Sequence, residues 1–174
     1  DGLDGLATGG TVIVSTVFVV LTYLAGMRVG EVAALRVFDV YEDDGRVKEQ
    51  IRLSKSQTKG NEARTVLLNA QAQEELRVYA RTLTRKSDQP LFVSKWGKTM
   101  SPNSLVQVFG RFYKLAGLSN ASSHSGRRSF ITALSSKGVS VRVLAALAGH
   151  KNISTTQRYI EVGEHQLRAA VEMI

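Results

Sequence analysis

Hydrophobic positions recur at two spacings along this 174-residue chain, and each change of period marks an element. From Thr11 to Ala25 the run is uncharged and mostly apolar, the pattern of a helix buried on all sides. Gly26 breaks it, and a short helix then carries Arg28, Glu31 and Leu35. The period next falls to two. Val37 to Val40, Val47 to Leu53 and Ala63 to Leu68 read as three short strands, with Asp43-Asp44-Gly45 as a turn between the first two. The basic loop Lys55 to Asn61 joins the second and third. Helical spacing returns at Ala70 to Leu83, where Leu76, Tyr79, Ala80 and Leu83 form one stripe. Leu91-Phe92-Val93 reads as a further short strand. Ser101 and Pro102 open a helix that Gly117 stops. Ser125 to Ser136 forms the next, and Ser140 caps another that Gly149 ends. Ser154-Thr155-Thr156-Gln157 reads as a capping box, which puts Tyr159 in the second turn of a short helix. An amphipathic helix from Glu164 to Met173 closes the chain. The expected fold is mainly α with a small antiparallel β-sheet, an α+β arrangement. Residues 1–10, with four glycines and two aspartates, read as a linker from something upstream, and 11–174 as one domain.

Composition narrows the partners. Hydrophobic residues make up 43% of the chain, enough to fill a core, so a disordered tail is ruled out. Lys and Arg number 23 against 15 Asp and Glu, a formal charge of +8. That excess points to an anionic partner, nucleic acid first and an acidic membrane surface second. The uncharged stretch from Leu6 to Met27 just reaches the roughly 20 apolar residues of a bilayer span. Glycine, serine and threonine interrupt it and no basic cluster precedes it, so a buried helix is the better reading. With no cysteine, disulfides, thiolate catalysis and cysteine-based zinc sites are excluded, and a reducing cytosol fits. His124, His150 and His165 lack the spacing of a helical metal pair.

The chemistry lies in three segments: Gly26-Met27-Arg28-Val29-Gly30-Glu31, then His124-Ser125-Gly126-Arg127, then Gly149-His150 followed by Ser154-Thr155-Thr156-Gln157-Arg158-Tyr159. Singly, each has a plainer reading. Arg28 and His150 suit helix ends, His124 a helix start, Lys59 a solvated loop and Tyr159 ordinary packing. The pair Arg127-Arg128 more often marks a solvated face, and Arg128 is set aside on that ground. Jointly they suit attack on a phosphodiester. That reaction builds negative charge on the non-bridging oxygens and needs fixed cations aimed at one point, which a guanidinium supplies bidentately. His124 and Arg127, three apart, leave one face of a helix. A tyrosine, with an ordinary pKa of about 10, becomes a better nucleophile where positive charge surrounds it.

In this order, the segments resemble the tyrosine recombinase family of phage integrases and Xer-type resolution enzymes. The resemblance implies that family's catalytic-domain fold, with Arg28 and Arg127 clamping the phosphate. His124 and His150 would supply hydrogen bonds and proton handling. Lys59 stands where the family carries its general-acid lysine, with Lys55 as the rival in the same loop, and Glu31 takes the supporting acidic position. Tyr159 would form a 3′-phosphotyrosyl link, conserving the bond energy without ATP, metal or other cofactor. The partners implied are double-stranded DNA, other protomers of a synaptic tetramer and accessory DNA-bending proteins, in the cytoplasm at the nucleoid. A missing N-terminal DNA-binding domain would precede residues 1–10, so this fragment alone would bind DNA weakly. The last helix would dock on its own domain or on a neighbouring protomer. One departure is Gly126, where the family has a bulky apolar residue. It removes a packing contact and predicts a looser seat for Arg127. The rival readings are a non-catalytic DNA-binding module, a type IB topoisomerase and a serine hydrolase, which lacks its Gly-x-Ser-x-Gly elbow. A metal-dependent nuclease would need clustered carboxylates, and here they are scattered.

Overall fold

The computed structural model describes residues 16–83, 88–94, 98–160 and 162–174, and of 165, 166 and 169 the backbone. The linker expected at 1–10 and the opening of the first helix lie outside the described residues. The helical stretch at 16–19 passes into a π-helical segment, Val20–Leu24. Thr22 is buried there and donates its hydroxyl to Phe18 O at 2.9 Å, which satisfies it without water. Gly26 follows in the left-handed conformation, φ 63°, and turns the chain into α1 (Val29–Ala33).

The expected strand Val37 to Val40 is instead a single helical turn, α2 (Val37–Val40). The cause is local. Asp39 accepts the Arg36 amide N–H at 2.8 Å, so a side chain three residues on offers the backbone a helical start in place of a ladder. Only an isolated bridge between Tyr41 and Val47 remains of the first expected pairing. The sheet therefore has two antiparallel strands, β1 (Gln50–Leu53) and β2 (Arg64–Leu67), with Ile51 opposite Val66 and Leu53 opposite Arg64. Leu91-Phe92-Val93 is not a strand either: Pro90 and Val93 each make one isolated bridge, and Leu91 and Phe92 are buried.

The helices fall close to expectation: α3 (Ala70–Ala80), α4 (Pro102–Leu115), α5 (Ser125–Ser136), α6 (Val141–Ala148), α7 (Ile153–Gln157) and α8 (Glu164–Val171). Asn69, Ser101 and Ser140 cap their helices, as side-chain oxygens do for unpaired N-terminal amides. At α7 the capping residue is Asn152, which accepts the Ser154 N–H at 3.0 Å. The helix thus starts earlier than the capping box implied, and Tyr159 lies in the turn beyond its end, with its N–H on Thr156 O at 3.0 Å.

Two apolar clusters result. The larger joins Phe18, Leu21, Met27, Ile51, Phe92 and Phe109 from the N-terminal segment, the sheet, the stretch before α4 and α4 itself, with the rings of Phe18 and Phe109 stacked at 3.5 Å. The smaller gathers Ile131, Leu144 and Ala148, with Tyr159 and Ile160 packed against them. The helix α5 bridges the two. Gly126 lets it close on the π-helical segment, since a Cβ there would stand 2.5 Å from Thr22 Oγ1. Among the described residues no helix is long and apolar enough to cross a membrane.

Candidate active site

The site is built on the C-terminal end of α6. A helix leaves its last carbonyls without intrahelical partners, and its dipole makes that end negative. Here three consecutive carbonyls are each taken by a different arginine. Arg64 Nη1 donates to Leu147 O at 3.0 Å, Arg127 Nη2 to Ala148 O, and Arg28 Nη2 to Gly149 O at 2.9 Å. The three come from β2, from α5 and from the residue preceding α1. Arg127 also donates to Gly26 O, across the seam between the two clusters. It is 7% exposed, so the looser seat expected from Gly126 does not occur: a glycine brings the helix closer and drives Arg127 in.

Three guanidiniums this close repel one another, and Glu31 offsets part of that repulsion. It is 1% exposed and accepts from Arg28 N at 2.8 Å, Arg28 Nη1 at 2.9 Å, Arg64 Nε at 3.1 Å and Arg64 Nη2 at 2.7 Å. Burial raises the pKa of its carboxyl. The hydrogen bond and charge of Arg64, with the amide and charge of Arg28, more than reverse this and hold it below the ordinary range. For Arg127 burial comes first and repulsion from Arg28 and Arg64 second. They lower its pKa to about 9, against the pull of Glu31 and Tyr159, so it stays charged at neutral pH. Three cations against one carboxylate leave two positive charges in excess, a standing demand for an anion.

His150 follows the carbonyl triplet directly. Burial, then Arg127, Arg28 and Arg64, push its pKa down to about 4, so the imidazole is neutral at neutral pH. Its Nδ1 lies 2.8 Å from the hydroxyl of Thr156, which is fully buried. That partner fixes the ring and leaves Nε2 for a ligand. The ring of Tyr159 stands 6.3 Å from that of His150, tilted by 21°, and Arg128 Cζ lies 5.9 Å from the tyrosine ring centre. A cation over an aromatic face holds the ring.

A cleft of about 550 Å³ opens beside these groups, lined by Arg28, Lys59, Arg64, Gly149, His150 and Lys151 among others. Lys59 reaches it from the loop between β1 and β2. Thr58 closes the base of that loop, its hydroxyl on Glu62 O at 2.8 Å and accepting the Glu62 N–H at 3.1 Å. An ion pair from Glu62 to Lys151 Nζ at 2.6 Å ties the loop to the segment after His150. Lys55 sits in a 3-10 turn, Lys55–Gln57, and does not line the cleft.

Arg28, Glu31, Arg127, His150 and Tyr159 are therefore brought together, and Lys59 borders the same space. His124 is not. It takes the N-cap of α5 and is exposed, and among the described residues no hydrogen bond, ion pair or ring contact reaches its ring. The shared face expected for His124 and Arg127 fails because one turns outward and the other into the seam. Three further residues escaped the sequence reading: Arg64, Thr156 and Arg128. Arg64 had a legible signal, because in Arg64-Thr65-Val66 the apolar Val66 marks the inward face and places Arg64 on it.

A model of the phage integrase family matches residues 6–166, and the chain belongs to that family. The tyrosine recombinase XerA of Pyrococcus horikoshii is 34% identical over 156 residues, 87% of this chain and 52% of XerA. The chain thus spans about half the length of the curated relatives it matches. Among solved structures, a crystal structure of XerA recombinase superposes with a TM-score of 0.72 at 24% identity, covering 90% of this chain and 56% of that one. The XerH site-specific recombinase, bound to a palindromic difH substrate in a post-cleavage complex, gives 0.70 at 23% identity, covering 94% and 46%. The expected tyrosine recombinase catalytic-domain fold is the one observed.

Proposed function

We propose that this chain is the DNA-breaking and rejoining domain of a site-specific recombinase, acting on double-stranded DNA through Tyr159. The phenol releases its proton to water, its oxygen attacks the scissile phosphorus, and the bond to the 5′-oxygen breaks. The product is a 3′-phosphotyrosyl link and a free 5′-hydroxyl. Lys59 gives the departing oxygen its proton. Arg28 and Arg127 hold the non-bridging oxygens, and neutral His150 donates a hydrogen bond to one of them from Nε2. The 5′-hydroxyl of a partner strand then attacks the phosphotyrosine, returning its proton to Lys59, and Tyr159 leaves and regains its proton from water. One phosphate ester is exchanged for another, so the bond energy is retained throughout. Glu31 aims Arg28, and His124 would join only when DNA closes over the start of α5.

The observation that carries this reading is the three arginines gathered on consecutive carbonyls beside His150 and Tyr159, with two positive charges in excess. The DNA substrate of the XerH structure is the kind of partner such a site fits. The exposed apolar side chains Leu167, Val171, Met173 and Ile174 favour assembly with other protomers on DNA, in the synaptic tetramer the family resemblance implies. Accessory DNA-bending proteins and a place at the nucleoid belong to the same reading.

The test uses a library of nicked duplexes of randomised sequence, which trap a covalent adduct because the cleaved strand diffuses away. SDS-resistant protein–DNA complexes should accumulate with the wild type and vanish with Tyr159→Phe. Absence of adducts, or adducts that survive Tyr159→Phe, would overturn the proposal.

A further inference from the structure

Arg64 has no part in the proposed chemistry, yet it joins Glu31 to the end of α6. It leaves β2 on the inward face, and its side chain is 12% exposed. All three of its nitrogens are engaged: Nε and Nη2 fork onto the two oxygens of Glu31, and Nη1 donates to Leu147 O. Its aliphatic stem runs under Gly149, where a Cβ would stand 2.6 Å from Arg64 Cδ. Three of its five N–H donors are committed, and the Nε–Nη2 fork is closed to a phosphate.

We infer that Arg64 is a positioning residue. It locks the strand that leaves the Lys59 loop to Glu31 and to the end of α6, so that Arg28, Lys59 and His150 meet around one phosphate. The inference rests on the function proposed above. Glu31, held by the fork, in turn grips the amide and Nη1 of Arg28. Leu147 O lies three residues before His150, so a fixed helix end fixes the imidazole. Lysine in place of Arg64 would keep the charge, but one ammonium cannot span a bidentate carboxylate and a separate carbonyl.

The experiment compares wild type with Arg64→Lys and Arg64→Gln, at temperatures where each is folded by circular dichroism. On a duplex that the wild type cleaves, Arg64→Lys should slow adduct formation about 100-fold, as misaimed reacting groups do. Its non-covalent affinity for the same duplex should change less than about 3-fold. Equal losses in both would make Arg64 a phosphate ligand, and an unchanged adduct rate would make it a strut of the fold. Either overturns the inference. A second reading needs no DNA. Arg64→Gln removes the smallest of the three cationic contributions at His150, so the ring's NMR titration midpoint should rise above about 4 while burial, Arg127 and Arg28 keep it below 6.5. If the wild type forms no adduct, the proposed recombinase function fails. The titration then decides alone, and an unmoved midpoint in Arg64→Gln overturns the positioning role. Where Arg64→Gln does not fold, the rate and affinity of Arg64→Lys carry the test.

Discussion

Replacing Glu31 by glutamine tests the electrostatics of the site directly, because it changes shape little and removes the one carboxylate among three guanidiniums. Breaking a buried ion pair by removing one partner costs about 3–5 kcal/mol. The lower end applies here. Arg28 is 29% exposed and can recover water, and glutamine retains one acceptor oxygen. Arg64, at 12%, recovers little. The expected loss is about 3 kcal/mol at neutral pH, or a melting temperature roughly 6–12 °C lower for a chain of this size. The pH dependence gives the sharper signature. The Glu31 carboxyl is held below its ordinary value of 4.5, so the unfolded chain takes up its proton first as the pH falls. The stabilisation is complete above that value and disappears as the pH drops through the lower folded one. Glutamine does not titrate. Urea unfolding of both proteins from pH 7 to pH 3 should therefore show a constant gap down to about pH 5 and a closing gap below it. A gap under about 1 kcal/mol at pH 7, the value of a solvated surface pair, would refute the reasoning. So would a gap that persists unchanged to pH 3.

Other outcomes follow from the same geometry. His150 in the free protein should titrate near 4 by NMR, and inorganic phosphate or vanadate in the cleft should raise that midpoint by offsetting Arg127, Arg28 and Arg64; a midpoint near 6.5 would contradict the packing described. The folded ring refuses a proton that the unfolded chain accepts, so this group makes the protein less stable as the pH falls from 6.5 toward 4. Gly149→Ala should cost about 2–3 kcal/mol, since φ there is 62° and the new methyl meets Arg64. Gly149→Asn tolerates that φ better, so full recovery in denaturant melts would show that the Arg64 contact matters little. Duplex DNA should bind with steep salt dependence, each neutralised phosphate adding about 0.9 to the slope of log K against log salt, and a nearly flat plot would argue against phosphate contacts.

What was legible in the chain divides along physical lines. Arg28, Arg127, His150 and Tyr159 stand in the short motifs that carry the family resemblance, and that resemblance implied their convergence before any coordinates. Elements announced by strong local punctuation, such as Ser101-Pro102, Ser140 and Gly149, also fell where expected. The misses are cases in which a side chain far away, or a local rival, decided the matter. Val37 to Val40 has the β-branched look of a strand, but Asp39 captures the Arg36 amide and closes a helical turn. Thr156 looked like part of a cap, because nothing local shows that His150 will lie against it. Arg128 looked solvated, and its guanidinium remains exposed, yet it lies over Tyr159. His124 shows the converse, a motif residue whose ring is left in solvent.

Three chemically identical guanidiniums meet at one helix end, and hydrogen bonding alone separates their roles. Arg64 uses Nε, Nη1 and Nη2 and faces Glu31 with its fork, so its charge is paired and its donors are committed. Arg28 and Arg127 use only their Nη atoms, and among the described residues no hydrogen bond engages Nε of either. Arg28 lines the cleft and keeps an edge that a phosphate oxygen can enter while Gly149 O holds its plane in place, and Arg127, 7% exposed, keeps an uncommitted Nε–H. Binding then demands little rearrangement of the cations, which is the condition under which fixed charge stabilises a transition state rather than merely attracting a ligand. The carbonyl triplet sets this division of labour, because it anchors all three arginines while Glu31 takes the Nε–Nη2 fork of Arg64 and only one Nη of Arg28.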